Sequence, residues 1–239
     1  MQTDNIYIFG GHALSVNYYE ILTAAKINGE LTSGHIFCID ADPACTAKAL
    51  IPQALICLSP AAFMAKYLCG DYAPQALDAI VPDHTAQHVF LKVFLDLVAA
   101  HGKYKAQLIP LEEGPNTPFL RKAENNAIWA ISYATWTCPS ECPEPEICPH
   151  TKEPRSWDCG ETLKPRQATS NNKTATHLFA CAPLYQHIVQ IPGASICQKI
   201  QVFEKSLTEN PPEKVIVGTH SHCHGIIGHL SIEPINKSS

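Results

Sequence analysis

Three closely spaced cysteines are the clearest chemical feature of the chain. Cys138, Cys142 and Cys148 fall within eleven residues, and a proline follows each of them. Because proline restricts φ, less chain entropy is lost when the three sulfurs converge on one centre. Cysteine thiolates are soft ligands that suit zinc, Cu(I) and iron–sulfur clusters. The spacing therefore predicts a metal centre in this loop and not a set of cysteines that fill a core.

A closed metal centre of this kind needs one more ligand. Structural zinc and four-iron clusters are usually held by four protein side chains. The preferred candidate is Cys223, which follows a predicted strand over 214–219, because strand ends in α/β sheets commonly gather site residues. Cys159 and His224 are the alternatives. The predicted ligand set is Cys138, Cys142, Cys148 and Cys223.

The choice of metal rests on one short motif. The element Cys138-x3-Cys142-Pro143 resembles the closing part of the cluster motifs of bacterial ferredoxins. The resemblance covers a few residues, and the remaining spacings differ from those of a ferredoxin. It implies a four-iron cluster (4Fe–4S) that serves electron transfer or redox sensing with a redox partner protein. Zinc stays open as the alternative, because the same thiolates bind it well.

Composition indicates a folded protein of a reducing compartment. The chain has 239 residues, of which 46% are hydrophobic, so a sizeable core can form. It carries 11 cysteines, an odd number, and Asp4 stands where a secretory signal would have Lys or Arg. We therefore expect a cytoplasmic protein with thiols or metal ligands and no disulfide framework. Cys38, Cys57 and Cys69 lie in apolar runs and are expected in the core.

Charge and hydropathy argue against two classes of partner. Lys and Arg total 17 against 22 Asp and Glu, which gives a formal net charge of -5. Without a long basic run, binding to nucleic acid has little electrostatic support. The apolar stretch 54–65 is interrupted by Ser59 and Pro60 and is too short for a bilayer. The expected partners therefore include no nucleic acid and no membrane.

A second group of potential ligands lies close to Cys223. Thr219-His220-x-His222 resembles the start of the metal motif of metallo-β-lactamase-type hydrolases, which implies a zinc hydrolase. If the preceding strand continues, His220, His222 and His224 share one face and Cys223 takes the other. The Asp-His pair expected next is replaced by Cys223 and His224.

Short apolar runs alternate with helical patterns in the first part of the chain. The clearest helix, 84–100, places its apolar residues on one stripe. Strands that alternate with helices imply right-handed crossovers and a parallel sheet covered on both faces. We therefore predict an α/β fold with a doubly wound Rossmann-like sheet. Its strands are expected at 5–9, 35–39, 54–58, 79–81 and 104–109, with further helices at 18–26 and 60–68.

The pattern changes in the second part of the chain. Frequent prolines between 139 and 165 exclude regular helix and central strand, so a Cys/Pro-rich irregular insertion is predicted. We expect an α/β half, 1–125, and a C-terminal half, 126–239, with a cysteine-rich loop (138–160) and a His/Cys segment (220–224). Regular elements of the second half are expected at 127–137, 177–180, 195–207, 214–219 and 229–233, the last as an edge strand.

The turn after the first strand has features of a phosphate-binding loop. Gly10-Gly11 stands between strand and helix, and Asp40 ends the second strand, where a ribose hydroxyl would be bound. The arrangement resembles the nucleotide-binding domains of potassium-channel regulators. Counting from Gly10, His12 and Ser15 occupy the second and third glycine positions. An imidazole there would obstruct a pyrophosphate, which argues against binding of a dinucleotide. The prediction of a Rossmann-like topology is not affected.

These observations lead to one principal hypothesis and two alternatives. The principal one is a cytosolic protein whose C-terminal half carries a thiolate-ligated iron–sulfur cluster or zinc. The first alternative is a nucleotide-binding regulatory module that zinc stabilises, with the Gly10-Gly11 turn as its ligand site. The second is a zinc hydrolase built on His220, His222 and His224. No nucleophile–base pair stands out, so an enzymatic role stays open.

Overall fold

The chain folds into two compact units. Contacts define unit 1 (Met1–Val89 and Cys181–Gln198) and unit 2 (Phe90–Ala180 and Lys199–Ser239). Both are discontinuous in sequence, whereas a single boundary after residue 125 is expected from the sequence. The described part of the chain has the predicted α/β class, with two mixed sheets of six strands each. The structure is a computed structural model that describes residues 1–82, 88–111, 115–123, 126–139, 142, 144–163 and 173–235.

The regular elements follow one another as strands and helices of modest length. The predicted start of a helix at His84 lies outside the described residues. No helix within the described ranges is long and apolar enough to cross a bilayer. The strands are β1 (Ile6–Phe9), β2 (Ile36–Ile39), β3 (Leu55–Ile56), β4 (Ala79–Val81), β5 (Tyr104–Leu108), β6 (Phe119–Ala123), β7 (Ile128–Ser132), β8 (Thr174–Ala180), β9 (Ala182–Tyr185), β10 (Ile188–Pro192), β11 (Lys214–His220) and β12 (His224–Pro234). The helices are α1 (Ala13–Ile27), α2 (Thr46–Leu50), α3 (Pro60–Leu68), α4 (Val89–His101), α5 (Cys159–Leu163) and α6 (Gly193–Glu209), with a 3-10 turn at Pro52–Ala54.

Unit 1 is built on a sheet with the strand order β3-β2-β1-β4-β10-β9. The first four strands are parallel, whereas β10 and β9 are antiparallel. Every residue of β1 is buried, as expected of a central parallel strand. Cys38 on β2 is fully buried, as predicted. Cys57 and Cys69 are exposed, so the prediction of a core position is wrong for both, because they follow β3 and α3 outside the core.

Unit 2 is built on a sheet with the order β6-β7-β12-β11-β8, in which β5 also pairs with β12. The long strand β12 is central. Its first half, His224–Gly228, pairs with β7, its second half, Leu230–Pro234, pairs with β5, and β11 pairs along most of its length. The prediction of an edge strand at 229–233 is therefore wrong.

The strand predicted at 104–109 also belongs to a different sheet. The sequence pattern predicts that it closes the parallel series of the first half, but β5 pairs antiparallel with β12 in unit 2. A local apolar pattern identifies a strand without specifying its partner, which cross-strand packing decides. The described parallel series of unit 1 therefore consists of β1, β2, β3 and β4.

One histidine is buried in the core of unit 2. His177 on β8 is 8% exposed, and its ring packs against Phe94 and Phe203 at centroid distances of 5.0 and 5.4 Å. Burial lowers the pKa of His177 to about 4, and the positive charge of Lys199 acts in the same direction. The imidazole is therefore neutral in the folded protein at neutral pH.

Replacement of His177 by leucine should remove part of the protein's acid sensitivity. The unfolded imidazole takes up a proton near its ordinary pKa of 6.5, whereas the folded one resists protonation down to about pH 4. Stability from this group is therefore lost as the pH falls from about 6.5 to about 4, by about 3 kcal/mol. Denaturant unfolding of His177→Leu across this range should show a correspondingly smaller loss.

The control removes an exposed imidazole. His35 is exposed, so His35→Leu should keep the acid dependence of the wild-type protein. If His177→Leu lost as much stability on acidification as the wild type, the buried neutral imidazole would not be the cause.

Candidate metal centre

The cysteine loop contains a short turn that begins at Cys148. The Cys148 N–H donates to the Glu153 carbonyl (2.9 Å), and the Lys152 N–H donates to the Cys148 carbonyl (2.8 Å). The backbone N–H of Thr151 also donates to the Cys148 sulfur and lowers the pKa of this thiol. Burial acts in the opposite direction and raises the pKa, whereas the N–H of His150 lowers it further. The turn therefore favours a thiolate at Cys148.

Cys223 lies in the turn that joins β11 to β12. β11 ends at His220 and β12 begins at His224, and between them the Ser221 N–H donates to the His224 carbonyl (2.8 Å). The chain reverses direction here. The strand does not continue through the segment, so the condition under which His220, His222 and His224 would share one face is not met.

The histidines of this segment have separate surroundings. The His220 ring packs against Gly160, where an added Cβ would lie 2.2 Å from the ring atom Cε1. His222 Nδ1 lies 3.0 Å from Asp158 Oδ2 at the surface, with 62% of the histidine side chain exposed. The turn thus directs the two rings to different partners on the segment that contains α5.

The carboxylate of Glu144 joins the cysteine loop to the turn. Its Oε2 accepts the backbone N–H groups of His222 (2.9 Å) and Cys223 (3.3 Å). Its Oε1 accepts the Ser221 hydroxyl (2.6 Å). The Arg155 guanidinium lies 4.0 Å from Oε2, and the arginine and glutamate side chains are only 10% and 15% exposed. Two segments far apart in sequence are therefore held together by a largely buried carboxylate.

The sulfur of Cys223 has two N–H donors beside it. Trp157 Nε1 lies 3.3 Å from Sγ, and Arg155 Nη1 lies 3.7 Å from it. Trp157 stacks on Tyr133 with a centroid distance of 5.9 Å. Burial raises the pKa of Cys223, whereas the donors from Trp157 and Arg155 act in the opposite direction. The donors therefore stabilise a negative charge on a sulfur that is otherwise buried.

The other three predicted ligands act electrostatically on Cys138. Burial raises the pKa of Cys138. The sulfurs of Cys142, Cys223 and Cys148 raise it further, because nearby negative charge disfavours a second thiolate. In the described residues, no group of three or more His, Cys, Asp or Glu side chains is arranged to hold a metal ion. The described residues therefore place the other predicted ligands near Cys138 without a ligating arrangement.

The alternative fourth ligands take part in other contacts. Cys159 is fully buried in a core cluster with Trp129 and Ile131, and burial raises its pKa to about 12. Its thiol is thus held in an apolar environment that disfavours the ionised form. His224 Nδ1 lies 3.0 Å from the Ser132 hydroxyl oxygen.

Three side chains around these sulfurs are not evident from the sequence: Glu144, Arg155 and Trp157. Arg155 and Trp157 stand two residues apart after Pro154, and in an extended chain this spacing puts both on one side. That spacing is the signal that could have identified them. Glu144 has no comparable signal, because several glutamates lie in the same loop.

The glycine turn of unit 1 is occupied by a side chain of the protein itself. Gly10 has a φ of 92°, and the Gly11 N–H donates to Asp40 Oδ2 (2.6 Å). A Cβ on Gly11 would lie 2.5 Å from Cys45 Sγ. Asp40, the residue expected to bind a ribose hydroxyl, therefore places its negative charge on a donor that a pyrophosphate would need. This contact argues against phosphate binding at the turn.

The fold and the site define an α/β protein in which a cysteine-rich loop is held against a hairpin turn. The chain belongs to the family AF_1314_C, described as "Uncharacterized protein, C-terminal domain", whose model matches residues 85–233. The matched range includes the cysteine loop and the turn before β12 and excludes the Gly10-Gly11 turn. No curated protein and no solved structure matches the chain.

Gly160→Ala should destabilise the packing beside the turn. The new Cβ would overlap the His220 ring at 2.2 Å, so the ring or the backbone of α5 must move. Overpacking of this kind costs about 1–3 kcal/mol, which thermal unfolding measures as a lower midpoint. His220→Ala makes room for the added methyl group, so Gly160→Ala should cost less in that background. An equal cost in both backgrounds would contradict the packing argument.

Proposed function

We propose that unit 2 binds an inorganic centre through the thiolates of Cys138, Cys142, Cys148 and Cys223. The favoured occupant is a four-iron cluster that serves electron transfer or redox sensing, and zinc is the alternative. The observation that carries the proposal is the attachment of the cysteine loop to the Cys223 turn through Glu144. This attachment holds the segment with three of the proposed ligands against the turn that contains the fourth.

Hydrogen-bond donors to sulfur support the proposal. Metals bind the thiolate, and N–H groups near a ligating atom orient it and stabilise its charge. Trp157 and Arg155 supply such donors to Cys223, and backbone N–H groups supply them to Cys148. In iron–sulfur proteins the same donors help to set the reduction potential. These donors therefore support a negative charge on Cys223 and Cys148, against the effect of burial.

The short motif Cys138-x3-Cys142-Pro143 favours the cluster over zinc. Cys142-Pro143 completes the element that resembles the ferredoxin motifs. The free energy of cluster binding would draw the four sulfurs into the ligating arrangement. All 11 cysteines are free thiols in the structure, which supports a reducing, cytoplasmic location. A redox partner protein would then supply or accept the electron.

Unit 1 is proposed to have a Rossmann-like topology. The parallel strand order β3-β2-β1-β4 supports a Rossmann-like assignment. The contact between Asp40 and the Gly11 N–H speaks against a nucleotide as its ligand. The regulatory nucleotide module with structural zinc is therefore the weaker reading of the chain.

Purification without oxygen, followed by metal analysis and a visible spectrum, tests the occupant. Iron with acid-labile sulfide and broad absorption at about 400 nm would support the cluster. A colourless protein with stoichiometric zinc would replace the cluster by zinc and keep the ligand set. Protein that retains neither metal, and takes up neither on reconstitution, would overturn the proposal.

Cys142→Ser should abolish most metal binding and make the loop more sensitive to protease. The variant removes one of four thiolates, and metal-binding free energy stabilises the fold of the loop. Cys57→Ser is the matched control, because Cys57 is an exposed cysteine of unit 1. Metal content and limited proteolysis measure both effects. Full metal occupancy in Cys142→Ser would remove this residue from the ligand set.

A further inference from the structure

We propose that Glu144 is the positioning residue that delivers Cys223 to the cysteines of the loop. The inference rests on the proposed thiolate centre and names the interaction that assembles it. Glu144 lies between two of the loop cysteines in the sequence, and its carboxylate contacts three successive residues of the turn, Ser221 to Cys223.

The fourth ligand presents the harder assembly problem. The three loop cysteines are close in sequence, but Glu144 and Ser221, the first residue of the turn, are 77 positions apart. The sheet already places the turn near the start of the loop, because β12 pairs with β7 and the Cys223 carbonyl accepts the Tyr133 N–H. Without Glu144, metal binding would have to supply the free energy that folds the loop itself back onto the turn. A contact that already joins the segments reduces that cost, because the ligands are then preorganised.

The geometry of Glu144 suits this task. Two successive backbone N–H groups of the turn converge on Oε2, and consecutive N–H groups of this kind bind anions. Glu144 adopts a φ of 50°, a left-handed conformation that few residues other than glycine adopt. The surrounding contacts must offset the strain of this conformation.

Arg155 links the carboxylate to the sulfur. Its Nη1 lies 4.0 Å from Glu144 Oε2 and 3.7 Å from Cys223 Sγ. The guanidinium therefore balances the carboxylate charge beside a sulfur that becomes negative when it binds a metal. Without this cation, the carboxylate would repel the thiolate that it positions.

Titration of the metal-free protein with Co²⁺ tests the inference, because thiolate ligation gives cobalt an intense charge-transfer band. Glu144→Gln should bind Co²⁺ about 10–100-fold more weakly, the range typical of residues that support metal ligands. The band at saturation should keep its wild-type intensity, since all four thiolates are present. Glu146→Gln is the matched control: Glu146 is an exposed glutamate of the same loop and should leave the affinity unchanged.

A double-mutant cycle separates positioning of Cys223 from a general effect on the fold. In a Cys223→Ser background the residue that Glu144 delivers is no longer a thiolate. Glu144→Gln should then cause little further loss of Co²⁺ affinity, whereas a general structural effect would persist in full. Ser221→Ala, a milder change that removes one donor to Glu144, should weaken binding in the same direction if Glu144→Gln folds poorly.

The outcomes distinguish the inference from the proposed function. A wild-type protein that gives no thiolate–cobalt band and, purified without oxygen, holds neither an iron–sulfur cluster nor zinc would overturn the thiolate centre and the inference with it. A normal band in the wild type, together with wild-type affinity in Glu144→Gln and Ser221→Ala, would overturn the inference alone. The inference alone would also be overturned if Glu144→Gln lowered the Co²⁺ affinity as much in the Cys223→Ser background as in the wild type.

Discussion

The tight reversal of the chain between β11 and β12 is the constraint on which the candidate centre depends. The hairpin directs the backbone N–H groups of His222 and Cys223 to the Glu144 carboxylate, and it places Cys223 where loop donors reach its sulfur. A strand that continued straight through this segment would carry Cys223 away from the loop. Because β12 is the central strand of its sheet, the position of the turn is fixed by pairing on both sides.

Burial and hydrogen bonding act against each other at these sulfurs. Burial disfavours the thiolate at Cys138, Cys159 and Cys223, whereas N–H donors favour it at Cys223 and Cys148. Burial raises the pKa of Cys159, and no hydrogen-bond donor is among the causes of this shift. Its side chain belongs to a core cluster. The N–H donors at Cys223 and Cys148 therefore distinguish these two proposed ligands from Cys159, which packs in the core.

Local patterns predicted the elements more reliably than their arrangement. The bounds of α3 and β4 agree with the prediction, because proline and buried apolar runs mark them locally. β6 was not predicted, since it is largely exposed and lacks an alternating apolar pattern. The central position of β12 was also missed, because the glycines at 225 and 228 interrupt the apolar run that usually marks a central strand. An added Cβ would lie 3.2 Å from Cys159 Sγ at Gly225 and 2.4 Å from Leu91 Cδ2 at Gly228, so these glycines leave room for both side chains.

The sequence by itself determined which residue types are available and which of them are close along the chain. It therefore supplied the α/β class and three clustered cysteines, since periodicity and spacing are local properties. Only the tertiary structure decided that β5 joins the second sheet, that the histidine segment is a turn, and that Glu144, Arg155 and Trp157 surround Cys223. These features depend on pairing and contacts between residues far apart in sequence, whose free energy is set by the whole fold and not by any short segment.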